Sequence, residues 1–272
     1  MKIKKGFVLL IIIVFLIIYL YCENNILTVT RYEITNEKIE TAFDNFKIVQ
    51  LSDYHNTKSR ILNESIVKEI ENIKPDIIVI TGDFLDSNRT DLNVSLTLIK
   101  RIIDIAPVYF ITGNHEECIE KFYLEFKNSI ELLGVKILEN EVEVIEKGDS
   151  KINLIGISDT DTFSGCKEKL SSMKYDKEYY SVLLSHRPEF FTAYVHENIN
   201  LVLTGHAHGG QIRLPLIGGL IAPNQGFFPK YTSGKFVSDS TVMVVSRGIG
   251  NSIIPFRVNN RPELIVITLK SN

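Results

Sequence analysis

The sequence predicts an α/β protein built on parallel strand–helix–strand units. Two observations carry this reading. Five apolar runs each end in polar residues: "FKIVQLSDYH" (46–55), "DIIVITGD" (76–83), "PVYFITGNHE" (107–116), "YSVLLSH" (180–186) and "NLVLTGHAH" (200–208). The first three recur at a nearly constant distance, Asp53 to Asp83 being 30 residues and Asp83 to Asn114 being 31. That is the length of one strand–helix–strand unit.

Each element follows from local pattern. The chain opens "MKIKKGFVLLIIIVFLIIYLYC", with Lys2, Lys4 and Lys5 followed by an uncharged, almost wholly apolar stretch over 6–22. As a helix this stretch covers roughly 25 Å, the short end of a bilayer crossing. A cleaved signal sequence has a shorter apolar core and small residues before the cut. Here the end reads Tyr19-Leu20-Tyr21-Cys22, so an uncleaved anchor over 1–22 is favoured over a cleaved signal. Lysines ahead of the span place the N-terminus inside and the following domain outside the cytoplasm. Residues 23–45 are read as a lead-in and 46–272 as the globular domain.

Within that domain the Ile/Val/Leu runs suit strands covered on both faces. Between them, Ile61, Leu62, Ile66, Ile70 and Ile73 recur at helical spacing, as do Leu92, Leu96, Ile99 and Ile103. The acidic stretch 139–149 reads as a solvated hairpin. Hydrophobic content of 44% and charged content of 23% are ordinary for a globular protein. The net charge is −3 and the pI near 6.1, which disfavours a nucleic-acid partner. Cys22, Cys118 and Cys166 form no C-x-x-C pair, so a thiolate zinc site is disfavoured; a Cys118–Cys166 disulfide is allowed but not required.

The polar strand ends carry the chemistry. In such sheets, sites form beyond the carboxyl ends of strands. Five of the six histidines sit there, joined by Asp53, Asp83 and Asn114. Side chains at i and i+2 of an extended segment point the same way, so His206 and His208 are expected to face one centre, as are Asp53 and His55. A lone histidine after a strand is usually a hydrogen-bonded structural residue, but this many together point to metal ligands. His196 lies on an expected helix and is read as structural.

"SDYH", "TGD", "TGNHE", "LLSH" and "TGHAH" resemble, in order, the signature blocks of the calcineurin-like metallophosphoesterases. The stretches from Gly205 to Gly234 and from Ser246 to Leu269 resemble a bacterial membrane-associated branch, the YkuE/YaeI-like proteins. Tyr54 stands where a leucine is common and is expected to point away from the metals. The resemblance implies an α/β sandwich of two sheets flanked by helices, behind one N-terminal transmembrane helix. It implies one metal held by Asp53, His55, Asp83 and His208, and another by Asp83, Asn114, His186 and His206. Asp83 bridges them, and His115 is the non-ligand histidine near the leaving group.

Two divalent metals offset the negative charge that shields phosphate esters and make hydroxide available. Oxygen and imidazole ligands suit Mn, Fe or Zn. The implied activity is hydrolysis of a phosphomonoester or phosphodiester by a membrane-anchored enzyme. Its substrate would be a phosphorylated small molecule, lipid or cell-envelope component. Two rivals stand beside it: a pyrophosphate hydrolase acting on nucleotide-linked lipid such as UDP-diacylglucosamine, and a non-catalytic envelope-binding protein. "HEEC" lacks the second histidine of zinc proteases, and "HAHGG" lacks the H-x-H-x-D-H pattern of metallo-β-lactamase-like hydrolases. Glu116 and Glu117 read as acids in a first helical turn. Arg187 and Arg213 flank ligand blocks and either meet substrate or, as the favoured reading, form surface salt bridges. "SRGIGNS" (246–252) either wraps a phosphate or is a plain glycine turn, and "LPLIGGLIAP" (214–223) either lies near lipid or packs under the domain.

Overall fold

A computed structural model describes residues 5–252 and 254–272. Lys2 and Lys4 lie outside the described residues. Helix α1 (Lys5–Asn25) is the apolar segment. At 1.5 Å per residue it is about 30 Å long, enough to cross a bilayer. Its residues 5–18 are exposed, whereas its last turns lie against the rest of the chain.

The first half of the chain continues with β1 (Thr28–Thr35), β2 (Lys47–Leu51), α2 (Arg60–Ile73), β3 (Ile77–Thr81), α3 (Leu92–Ile102) and β4 (Val108–Ile111). Helices α4 (Asn114–Cys118) and α5 (Glu120–Leu132) lead to β5 (Lys136–Ile137). The second half holds β6 (Glu141–Lys147), β7 (Ser150–Gly156), α6 (Phe163–Ser172), β8 (Tyr180–Leu184), α7 (Phe191–His196) and β9 (Leu201–Thr204). Two short hairpins follow, β10 (Arg213–Leu214) with β11 (Gly218–Gly219) and β12 (Ile221–Ala222) with β13 (Gly226–Phe227). Strands β14 (Gly234–Ser238), β15 (Thr241–Val245) and β16 (Glu263–Lys270) close the fold.

Among the described residues these strands form two six-stranded sheets, ordered β1-β16-β2-β3-β4-β5 and β14-β15-β9-β8-β7-β6. Strands β2 to β5 run parallel, as do β7, β8, β9 and β15. Segment 23–45, expected as a lead-in, contains β1, which pairs in parallel with β16 over its whole length. The acidic hairpin forms as β6 against β7, turning at Gly148 with φ of 62°.

Alternation along each strand explains the apolar runs. Ile48, Ile77 and Val79 face Leu154, Val182, Leu184, Leu203 and Val244 of the other sheet. Their neighbours Val49, Leu51, Ile78 and Ile80 face the opposite way, onto α2, α3 and α5. Behind the second sheet, Leu183, Val202 and Val245 pack on α6 and α7. Every residue of β3 is buried, so truncating a side chain such as Ile80 to Ala should cost about 2–5 kcal/mol. Gln50 links the sheets, donating from Nε2 to Thr81 Oγ1 and to the Thr204 carbonyl, both at 2.9 Å.

Candidate metal centre

The carboxyl ends of β2, β3, β4, β8 and β9 meet at one edge of the sandwich, and all eight side chains singled out in the sequence gather there. Five of them sit in left-handed, not extended, backbone. Asp53, His55, Asp83, His206 and His208 have φ between 45° and 64°. Such backbone is costly for a residue with a Cβ and persists only where its surroundings hold it. Here Asp53 N–H donates to the Gly82 carbonyl and His55 N–H to the Asp83 carbonyl, at 3.0 and 3.1 Å.

The i, i+2 expectation therefore holds in outcome for Asp53 and His55, which reach one donor set, and fails for His206 and His208, which divide. His206 turns toward His186, with Nδ1 at 3.2 Å from its Nε2, while His208 turns toward His55, with the two Nε2 atoms 3.1 Å apart. The two histidines serve neighbouring halves of one cluster. Gly113 and Gly205 are required by closeness: a Cβ on Gly113 would overlap Asp83, and one on Gly205 would overlap Ser52 and Asp53.

Two donor sets share Asp83, and a third grouping, His55, Asp86 and His115, borders the first. In the first, His208 Nε2 lies 3.4 Å from Asp53 Oδ1, and His55 Nε2 lies 3.8 Å from Asp83 Oδ2. In the second, His186 Nε2 lies 3.2 Å from each of Asp83 Oδ2, Asn114 Oδ1 and His206 Nδ1. Donor atoms about 2.1 Å from one ion lie about 3.0 Å apart at right angles and about 3.4 Å apart in a tetrahedron. The observed separations cluster around that interval, so the residues present fit a divalent cation in each set. Asp83 Oδ2 belongs to both. His206 Nε2 and His208 Nδ1 are buried without hydrogen-bond partners.

Charge distribution agrees with that fit. Burial lowers the His55 pKa to about 3 and pulls His206 and His208 well below the usual range, leaving neutral imidazoles, the form that binds metal. Burial raises Asp53 to about 6. Burial would also raise Asp83, but His186 beside it holds its carboxyl well below the usual range. His186 differs: burial lowers its pKa, yet Asp83 carries it up to about 10. A cation placed between the two would displace that proton.

His115 stands at the rim, its ring edge-on to His55 at 4.5 Å between centroids. Its backbone N–H donates to Asp83 Oδ1 at 2.8 Å. The Ser87 backbone N–H donates to His115 Nδ1 at 2.9 Å. Nδ1 is therefore an acceptor, and the neutral ring carries its proton on Nε2. Beside His55, a cavity of about 340 Å³ is lined by Asn56, Thr57, Lys58, Arg89 and Asn251.

Several neighbours do more, or other, than the sequence suggests. Glu116 is fully buried, and its carboxylate accepts the N–H groups of Asp83, Leu85 and Gly113, each at 2.8 Å. It ties the Asp83 and Asn114 turns together; the spacing G-N-H-E, a helix-start pattern with Glu three residues after the cap, is its only trace in the sequence. Arg187 is buried, not at the surface, and grips Asp159 with two hydrogen bonds of 2.8 and 2.7 Å. Arg213 has no carboxylate partner among the described residues and donates to the Gly209 carbonyl at 2.8 Å. In "SRGIGNS", the N–H groups of Gly248, Ile249 and Gly250 go to Ser246 Oγ and to the Ser52 and Asp53 carbonyls, which favours the glycine-turn reading. Tyr54 points away from the cluster and stacks on Phe84. His196 is exposed on α7. All three cysteines are free.

Residues 46–210 match the calcineurin-like phosphoesterase family, and the chain belongs to that family. It is 32% identical over 260 residues to an uncharacterized metallophosphoesterase, YkuE, of Bacillus subtilis, covering 92% of this chain and 88% of that one. It is 29% identical over 257 residues to the phosphodiesterase YaeI of Escherichia coli, covering 92% and 90%. Among solved structures, TT1561 of Thermus thermophilus shares the fold with a TM-score of 0.54 at 12% identity, covering 75% of this chain and 89% of that one. The chain is thus a metallophosphoesterase, a hydrolase of the YkuE/YaeI-like branch.

Proposed function

We propose that the protein hydrolyses phosphate ester bonds at a centre of two divalent metals, anchored to the membrane by α1 with its domain outside the cytoplasm. Asp53, His55, Asp83 and His208 hold one ion. Asp83, Asn114, His186 and His206 hold the other. The observation that carries this reading is the single oxygen Asp83 Oδ2, 3.8 Å from His55 Nε2 and 3.2 Å from His186 Nε2. The ions supply charge neutralisation at the phosphoryl group and acidify water there.

The chain's own residues do the rest. Asp53 accepts the His206 backbone N–H at 3.0 Å, which holds the His206 turn against the centre. His115 donates a hydrogen bond from Nε2–H to the departing ester oxygen and stabilises the charge that develops there. Ser87 fixes the ring for that role. Lys58 and Arg89 line the cavity wall, each already paired with a carboxylate, Asp91 and Asp86 respectively. The name of YaeI supports a phosphodiester as substrate. The domain is taken to begin at β1, since that strand completes the first sheet. The outward side rests on the lysines before α1.

The test is hydrolysis of bis-p-nitrophenyl phosphate and p-nitrophenyl phosphate by the full chain in detergent with Mn²⁺, Fe²⁺ or Zn²⁺. Turnover of the diester with at least one metal is expected. Absence of turnover of both esters with every metal would favour a binding protein instead.

A further inference from the structure

We propose that the double hairpin β10–β13, residues 213–227, rests in the headgroup layer of the bilayer leaflet from which α1 emerges, as a second membrane contact bordering the metal centre. The proposal rests on α1 spanning the bilayer and is independent of the reaction catalysed.

The hairpins expose side chains that soluble surfaces usually hide. Leu216 is fully exposed, and Ile217, Phe227 and Phe228 are each more than 60% exposed. Leu214 and Phe256 add to the same apolar set. A rim of this kind marks an interaction site. Charge narrows the occupant. From Asn198 to Ser238 the chain carries Arg213, Lys230 and Lys235 and no carboxylate side chain. Anionic headgroups would meet cations and no acid from this stretch; Glu263, which acts on Arg213 from outside it, is buried.

Position commits the occupant to lipid. Tyr19 of α1 donates from Oη to Asn259 Oδ1 at 2.9 Å and accepts the Asn259 N–H at 3.0 Å. Asn259 Nδ2 donates in turn to the Arg213 carbonyl at 3.1 Å, at the root of the first hairpin. Tyr19 lies three residues inside the end of the apolar segment at Cys22, about 4.5 Å along the helix axis. The hairpin root is therefore level with the last turn of the span, where tyrosines gather at membrane surfaces.

The same end of α1 is tied to the metal centre. Glu23 is buried and accepts the Asn260 N–H at 2.9 Å, while Asn260 Nδ2 donates to the His208 carbonyl at 2.8 Å. Asn24 Oδ1 accepts from Asn251, which lines the cavity beside His55. Lipid at the hairpins would thus lie beside the mouth through which substrate enters.

The natural chain contains no tryptophan, so one introduced residue reports alone. The full chain is reconstituted into phosphatidylcholine–phosphatidylglycerol vesicles with brominated acyl chains. Four variants are compared: Phe227→Trp and Leu216→Trp on the hairpins, Leu10→Trp in α1, and Leu132→Trp at the exposed end of α5. Both hairpin variants should be quenched several-fold more than Leu132→Trp. Quenching of Leu10→Trp with hairpin variants no more quenched than Leu132→Trp would overturn the proposal alone. No quenching at Leu10→Trp would overturn it by removing the membrane span. Blue-shifted hairpin emission without bromine quenching would assign the surface to a second copy or a protein partner and also overturn it.

Discussion

Asp83 Oδ2 lies 3.2 Å from His186 Nε2, and the same oxygen also faces His55 from the other half of the cluster. One carboxylate thus stands between two sets of donors, each of which draws on both sheets. Replacing it should not merely weaken one ion. Asp83→Asn removes the charge that holds both, so metal content and hydrolysis should fall together. Inductively coupled plasma mass spectrometry alongside an activity assay checks this.

His115 touches the centre through its backbone and Asp83; its ring is outside the two sets that share Asp83 but groups with His55 and Asp86. His115→Ala should keep the metal content of the wild type and lose about 10²–10³-fold in turnover, the range for a lost donor to developing negative charge. A collapse in metal content would make His115 a ligand instead.

Glu116 should matter for integrity. Its Oε2 accepts from Asp83 and Gly113 and its Oε1 from Leu85. In Glu116→Gln one of these positions becomes an NH₂ group facing an N–H, leaving a buried donor unpaired. The cost should be about 1–3 kcal/mol. A fall in the midpoint of urea unfolding measures it, and an unchanged midpoint would contradict the role.

The cysteines should differ in reactivity. Cys118 is exposed, whereas burial pushes the Cys166 thiol up to about 12. The thiolate is the reactive form, so Cys166 gains reactivity only as pH approaches that value. At pH 8, iodoacetamide should modify Cys118 and spare Cys166 until the chain unfolds. Peptide mapping by mass spectrometry decides, and a Cys118–Cys166 disulfide in the purified protein would contradict the free thiols.

Much of this is legible in the sequence because two constraints coincide at the strand ends. Burial on both faces makes β2, β3, β4, β8 and β9 near-continuous apolar runs, and ligand chemistry fixes the polar residues at the end of each. Helices α2 and α3 are visible for the same reason, since one face packs on the first sheet. Other features have no local trace. The pairing of Thr28 with Glu263 joins chain ends that no short pattern connects, so β1 reads as a lead-in from sequence alone. The left-handed turns at Asp53 and His206 fall on residue types that take that backbone more readily than most, but too seldom for sequence alone to mark it. Arg187 is expected at the surface because charge is usually solvated, but Asp159 pairs it in the interior.

The most direct measurement is the metal-to-protein ratio of hydrolytically active protein. Stripped with a chelator and refilled with Mn²⁺, the full chain should regain diester hydrolysis as it takes up two ions per molecule, and Asp83→Asn should regain neither. Full hydrolysis by metal-free protein, or two ions retained by an Asp83→Asn chain, would contradict the shared-carboxylate centre.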